Sequence, residues 1–121
     1  MKIISFYKCK VELKKKIIIV HPGSGGSAID LPIEKFSELV KNLSLLNEVN
    51  IIITGNEDEK NICGTISTNT NAIDLSGKFN LSEIICLISL SEIFISNSTG
   101  PIHIAAALGK SIVCFYPKIR A

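Results

Sequence analysis

The sequence predicts an α/β fold in which a parallel β-sheet carries helices on both faces. Short runs such as Ile17–Val20 are apolar throughout, which is typical of strands that are buried on both faces. Segments with apolar residues at helical spacing separate these runs, and glycine, proline or serine follows most of them. Strands that alternate with helices favour parallel pairing through right-handed crossovers.

The elements follow the order β-α-β-α-β-α-β-α-β from residue 16 onward. The predicted strands are 17–20, 50–54, 72–75, 92–95 and 111–116, and the predicted helices are 33–46, 57–67, 81–90 and 101–108. The first helix is predicted from apolar residues at helical spacing that run from Ile33 to Leu46. The second begins with acidic residues, which the dipole of a helix favours in its first turn.

Capping residues mark the ends of the last two helices. Asn80 or Ser82 is expected to cap the third helix. Pro101 suits the first position of the fourth helix, where its missing N–H costs nothing. Gly109 suits the end of that helix, because glycine adopts the left-handed conformation that commonly ends helices.

One domain is expected from the length of 121 residues. Residues 1–15 are assigned to a basic N-terminal segment or linker, and residues 16–121 to the domain. The first 16 residues hold six lysines and one glutamate, a charge of +5, whereas the whole chain carries +2. Because the rest of the chain supplies no basic face, no nucleic-acid partner is expected.

The apolar runs and the cysteines argue against a membrane-spanning protein and against a cysteine metal site. No apolar run approaches the roughly 18 residues of a membrane span, so no transmembrane segment is expected. The apolar stretch Ile3–Tyr7 is too short for a secretory signal, so a cytoplasmic location is expected. The four cysteines show no C-x-x-C spacing, and we expect buried apolar residues rather than a metal site.

Small and polar residues follow four of the predicted strands. These loops are 21–27, 55–59, 76–79 and 96–103. In open α/β sheets, ligands bind beyond the carboxyl ends of the strands. Four such loops at one edge therefore predict a binding crevice there.

The loop 96–103 gives the strongest signal. Gly100 allows a ligand to approach the backbone closely, and the start of the next helix suits a phosphate group. His103 lies in that first turn, where it either contacts the same ligand or binds a neighbouring loop.

Two other loops leave alternatives open. Gly23-x-Gly25-x-x-Ala28 matches the dinucleotide fingerprint formally, but Asp30-Leu31-Pro32 delays the helix, which favours a flexible glycine loop over a ligand. The acidic cluster Glu57-Asp58-Glu59 is either an ordinary helix start or a source of a carboxylate for a ribose hydroxyl.

The segment Ser96-Asn97-Ser98-Thr99-Gly100-Pro101-Ile102-His103, with the Ala-rich helix after it, resembles the signature of the ADP-heptose:lipopolysaccharide heptosyltransferase family, glycosyltransferase family 9. Residues 21–26, 76–83 and 114–117 resemble other segments of the same family. The resemblance extends over about residues 16–121.

The resemblance implies a Rossmann-like domain that corresponds to the C-terminal half of a GT-B fold. Its substrate would be a nucleotide sugar, ADP-heptose or a similar donor, with no metal or other cofactor. In the intact enzyme an N-terminal domain would hold the lipopolysaccharide-core acceptor and the catalytic base, at the surface of the inner membrane. The implied contacts are Ser24, Gly25, Thr99 and Gly100 to the diphosphate, Glu59 to the ribose, Phe79 near the base, and His103 to the donor. Ser98, in the same turn as Thr99, is also assigned to the substrate site.

This sequence departs from the family pattern at two places. Ser98 stands where many members have aspartate, and Ile29-Asp30-Leu31 stands where many have a basic residue and tryptophan. Loss of that positive charge would weaken diphosphate binding.

The domain is expected to be truncated at Ala121, and the isolated chain is expected to be inactive. The alternatives are a non-catalytic Rossmann-like module that binds a nucleotide or a partner protein, and the remnant of a truncated gene.

Overall fold

The structure, a computed structural model, describes residues 16–23, 33–46, 48–97 and 101–115. The strands are β1 (Lys16–His21), β2 (Val49–Ile53), β3 (Ile73–Asp74), β4 (Ile93–Asn97) and β5 (Ser111–Phe115). The helices are α1 (Ile33–Leu43), α2 (Lys60–Ser67), α3 (Leu81–Leu90) and α4 (Pro101–Ala107), and a 3₁₀ turn at Glu57–Glu59 precedes α2. Within this part of the chain, every helix is too short or too polar to span a bilayer. The N-terminal segment 1–15 lies outside the described residues.

The five strands form one parallel sheet in the order β3-β2-β1-β4-β5. Strand β1 lies at the centre, so the chain builds outward to β3 and then returns to place β4 on the other side of β1. This arrangement is a Rossmann-like α/β sheet, as predicted. The direction of winding reverses between β1 and β4, which is where such sheets bind ligands.

Helices cover both faces of the sheet and bury alternate side chains of the strands. On one face, Ile17, Ile19 and Phe94 pack with residues of α3 and α4. On the other face, Ile18, Val20 and Ile95 pack with residues of α1 and α2. Because both faces are buried, the central strands contain runs of consecutive apolar residues, such as 17–20 and 51–53, which is the pattern that made them recognisable in the sequence.

The ends of α3 and α4 confirm two of the predicted caps. The side chain of Asn80 accepts the N–H of Glu83 at 2.9 Å, and the carboxylate of Glu83 accepts the N–H of Asn80 at 3.0 Å. This reciprocal capping box fixes the start of α3. Gly109 follows α4 with a φ of 72°, the left-handed conformation expected of a helix stop.

Helix α1 is shorter than predicted. It ends at Leu43, and Leu46, which was expected on its buried face, is 52% exposed. The hydroxyl of Ser44 donates to the carbonyl of Val40 and accepts the backbone N–H of Asn71. Serine favours such local bonds over continuing a helix, and the contact with Asn71 ties the end of α1 to the turn before β3.

Candidate functional site

Backbone hydrogen bonds join the loops that follow β1, β2 and β3. The N–H of Thr54 donates to the carbonyl of Val20 at 3.0 Å, and the N–H of Leu75 donates to the carbonyl of Ile53 at 2.9 Å. Beyond the strands, the N–H of Gly77 donates to the carbonyl of Gly55 at 2.7 Å. Three of the four predicted loops therefore begin side by side at the carboxyl edge of the sheet.

Glu59 places its carboxylate between the ends of β1 and β2. One oxygen, Oε1, accepts the backbone N–H of Asn56 at 3.0 Å, which closes the turn that leads into α2. The same carboxylate lies over the backbone of Gly23: a Cβ added there would overlap both of its oxygens and its carboxyl carbon. The neighbouring Glu57 is instead paired with Lys60 at 3.3 Å on the exposed surface. Of these two carboxylates, that of Glu59 faces the edge at Gly23.

His21 is the last residue of β1, and it lies beside this carboxylate at the centre of the edge. Its Nδ1 shares a hydrogen bond of 2.9 Å with the hydroxyl of Thr54, and its ring stacks on Phe94 with centroids 6.2 Å apart. Burial lowers the pKa of His21 below 6.5, and the negative charge of Glu59 opposes that shift in part. The imidazole is therefore uncharged at neutral pH.

Cys63 is buried below the same loops. Its thiol donates to the carbonyl of Thr54 at 3.6 Å. Burial, together with the nearby carboxylate of Asp74, raises the pKa of the thiol to about 12. Cys63 is fully buried in the core, which confirms the expectation of a buried cysteine. A thiol with a raised pKa stays protonated at neutral pH and is a poor nucleophile. Cys86 is half-buried in α3.

Asp74 fixes the loop that follows β3. One of its oxygens accepts both the N–H of Ser76 at 3.0 Å and the hydroxyl of Ser76 at 2.7 Å. Gly77 then turns the chain with a φ of 71°, in the region that favours glycine. The loop thus has a defined backbone path from β3 toward Phe79.

The structure describes three of the residues that the sequence assigned to the site. Glu59 is half-buried at the edge. Phe79 is half-buried and packs against the core cluster beneath α3 and α4. His103 is exposed in the first turn of α4. Outside the described residues lie Ser24, Gly25, Ser98, Thr99 and Gly100.

Two contacts at this edge were missed from the sequence. Gly23 was assigned to a flexible loop, whereas it is buried under Glu59. The pair of His21 and Thr54 was not identified either. Both are polar residues at the end of an apolar run, a signal that becomes informative only once β1 and β2 are known to be neighbours.

Known proteins with similar sequences and folds are glycosyltransferases. A Haemophilus influenzae protein described as a glycosyltransferase is 29% identical over 110 residues, which cover 88% of this chain and 32% of that protein. The solved structure of E. coli ADP-heptose lipopolysaccharide heptosyltransferase II superposes with a TM-score of 0.81 at 22% identity, covering 93% of this chain and 35% of that one. The structure of E. coli heptosyltransferase WaaC with ADP gives a TM-score of 0.72 at 19% identity, covering 83% and 33%.

The structural neighbours are GT-B glycosyltransferases, whose fold this chain shares in part. The chain spans about a third of the length of the relatives that it matches. The sequence model of glycosyltransferase family 9 (heptosyltransferase) matches residues 4–120. The chain therefore belongs to glycosyltransferase family 9, as the signature around His103 indicated.

Proposed function

We propose that this chain is the part of a family 9 glycosyltransferase that binds the nucleotide-sugar donor. The intact enzyme would transfer a heptose or a related sugar to a lipopolysaccharide-core acceptor. In that reaction the acceptor hydroxyl displaces the nucleoside diphosphate from the anomeric carbon of the donor. The base that deprotonates the acceptor would come from the part of the enzyme that corresponds to the remaining two thirds of the relatives.

The observation that carries this proposal is the carboxylate of Glu59 at the carboxyl edge of a Rossmann-like sheet in a family 9 chain. In such sheets an acidic residue after the second strand commonly accepts hydrogen bonds from the ribose hydroxyls of a nucleotide. Glu59 follows β2 at this position, and its Oε1 is held by the N–H of Asn56. The carboxylate is thus fixed before a ligand arrives, which lowers the entropy that binding costs.

Phe79 and His103 have supporting roles in this proposal. The ring of Phe79 is already packed against the core, so a base that contacts its half-buried side meets a rigid apolar surface. The exposed imidazole of His103, in the first turn after β4, is accessible to the diphosphate or the sugar. An ADP-type nucleotide is our first choice of ligand, since one similar heptosyltransferase was solved with ADP.

Nucleotide titration tests the proposal. ADP, GDP and UDP are added to the labelled 121-residue chain while backbone amide NMR shifts are followed. We expect shifts at Gly55, Glu59 and His103 with high micromolar to millimolar affinity, or roughly −4 to −6 kcal/mol, because the partner half that excludes water is missing. No sugar transfer to a lipid-core acceptor is expected from this chain alone.

Glu83 supplies a matched control for Glu59. Both glutamates lie near the start of a helix and accept the N–H of an asparagine three residues earlier at 3.0 Å. Glu59→Gln and Glu83→Gln should therefore cost similar amounts of stability. Only Glu59→Gln should weaken ADP binding, by about 1 kcal/mol, because a neutral amide oxygen accepts the ribose hydroxyls more weakly than a carboxylate does. Equal losses of affinity in the two variants, or no amide shifts with any nucleotide, would contradict the proposed site.

A further inference from the structure

Gly23 and Gly55 follow the neighbouring strands β1 and β2, and both lie close to the Glu59 side chain. A Cβ added at Gly23 would occupy the space of the Glu59 carboxylate itself. A Cβ added at Gly55 would lie 3.0 Å from the sulfur of Cys63 and 3.1 Å from Oε1 of Glu59. The Glu59 side chain therefore lies against the backbone of Gly23 and close to that of Gly55.

The two glycines differ in what a side chain would displace. At Gly55 the nearest atom is the sulfur of the fully buried Cys63, so a methyl group there presses on the core. At Gly23 all three nearest atoms belong to the end of the Glu59 side chain. That end is half-buried and held by one hydrogen bond from Asn56, so a methyl group can displace it toward solvent at the cost of that bond while the fold stays intact.

The backbone conformation at position 23 does not itself require glycine. Positive φ values among the described glycines occur at Gly77 and Gly109 only, so an alanine at position 23 is not strained by a left-handed conformation. Gly23 is nonetheless buried. Its missing side chain is explained by the space that the Glu59 carboxylate fills.

We propose that Gly23 is a positioning residue for Glu59: by lacking a side chain, it lets the carboxylate rest at the carboxyl edge where it selects nucleotides with ribose hydroxyls. This inference rests on the proposed function. A methyl group at position 23 pushes the carboxylate away from that position. The effect on ligand choice should therefore equal that of removing the carboxylate.

A comparison of two nucleotides tests this inference. The affinities of the full 121-residue chain for ADP and for 2′,3′-dideoxy-ADP are measured by NMR titration. The variants are Gly23→Ala, Glu59→Ala and the double variant, with Gly64→Ala as the control, since a Cβ at Gly64 lies no closer than 3.8 Å to another group. The unchanged chain and the control should prefer ADP by about tenfold, which is the effect of one hydrogen bond to a charged group.

Gly23→Ala and Glu59→Ala should each abolish this preference. The double variant should bind both nucleotides with the same affinity as Glu59→Ala alone. A Gly23→Ala chain that keeps the preference, while Glu59→Ala loses it, would refute the role of Gly23 and leave the proposed function intact. A further loss of affinity for both nucleotides in the double variant would also refute it, because Gly23 would then act without Glu59. Failure of the unchanged chain to bind ADP, GDP or UDP would refute the proposed function itself.

A second variant covers the case in which Gly23→Ala does not fold. Glu59→Asp keeps the charge but shortens the side chain by one methylene, which withdraws the carboxylate from Gly23. If the position of the carboxylate determines the choice of nucleotide, Glu59→Asp loses the preference for ADP as Glu59→Ala does. Full preference in Glu59→Asp would overturn the inference.

Discussion

Replacing His103 with alanine removes an imidazole that is exposed in the first turn of α4. Alanine has the higher helix propensity, by roughly 0.5 kcal/mol, so the substitution should leave stability unchanged or raise it slightly. In a domain of this size, 1 kcal/mol corresponds to about 4 °C in Tm. The expected change is therefore an increase of no more than about 2 °C.

The effect on ligand binding should be larger. One hydrogen bond from His103 to a charged diphosphate contributes roughly 1–2 kcal/mol, which corresponds to an affinity about 5- to 30-fold weaker in His103→Ala. His103→Gln keeps a hydrogen-bond donor on the side chain. It should therefore retain part of the affinity that His103→Ala loses.

Two measurements decide between a ligand role and a structural role for His103. Thermal unfolding followed by circular dichroism gives the Tm of the unchanged chain and both variants, and NMR titration with ADP gives the affinities. A structural role predicts the opposite pattern, with a Tm lowered by several degrees and ADP affinity unchanged. That pattern would refute the assignment of His103 to the donor site.

Three further predictions concern stability. Burial lowers the folded-state pKa of His21, so the unfolded chain binds a proton first as the pH falls. The free energy of unfolding is therefore highest above about pH 6.5 and decreases below it. Urea unfolding at a series of pH values should show that the free energy of unfolding falls more steeply below about pH 6.5 for the unchanged chain than for His21→Gln. Parallel curves of unfolding free energy against pH would contradict this. Gly109→Ala should destabilise the chain by about 1–2 kcal/mol through its φ of 72° alone, since no atom lies within 4 Å of the added Cβ. Gly64→Ala in the middle of α2 should instead stabilise the chain by up to about 1 kcal/mol, and a loss of stability there would show that the nearby Asp74 matters more than helix propensity.

Local chemistry explains why most elements were predictable. The apolar run of β1, the capping box that begins at Asn80 and the glycine that ends α4 each depend on residues within a few positions of one another. The end of α1 was predicted three residues too late, because the contact between Ser44 and Asn71 spans 27 positions. Local periodicity contains no information about such a contact.

The family could also be identified from the sequence, because the signature around His103 is contiguous and specific. Glu59 was also a candidate, because it is an acidic residue in the loop after a predicted strand. The sequence left open whether Glu59 was only part of a helix start. The structure shows that its carboxylate closes that turn through Asn56 and also lies at the edge beside Gly23.

What the sequence determined by itself is the type and order of the elements, and with them the α/β class, since these follow from periodicity and capping over short distances. Only the tertiary structure placed β1 between β2 and β4, and only this order brings His21 to Thr54 and Gly23 to Glu59. The partners in these contacts are more than 30 positions apart in the sequence. They meet because each apolar strand is buried on both faces between helices, and parallel pairing then brings the carboxyl ends of neighbouring strands to one edge.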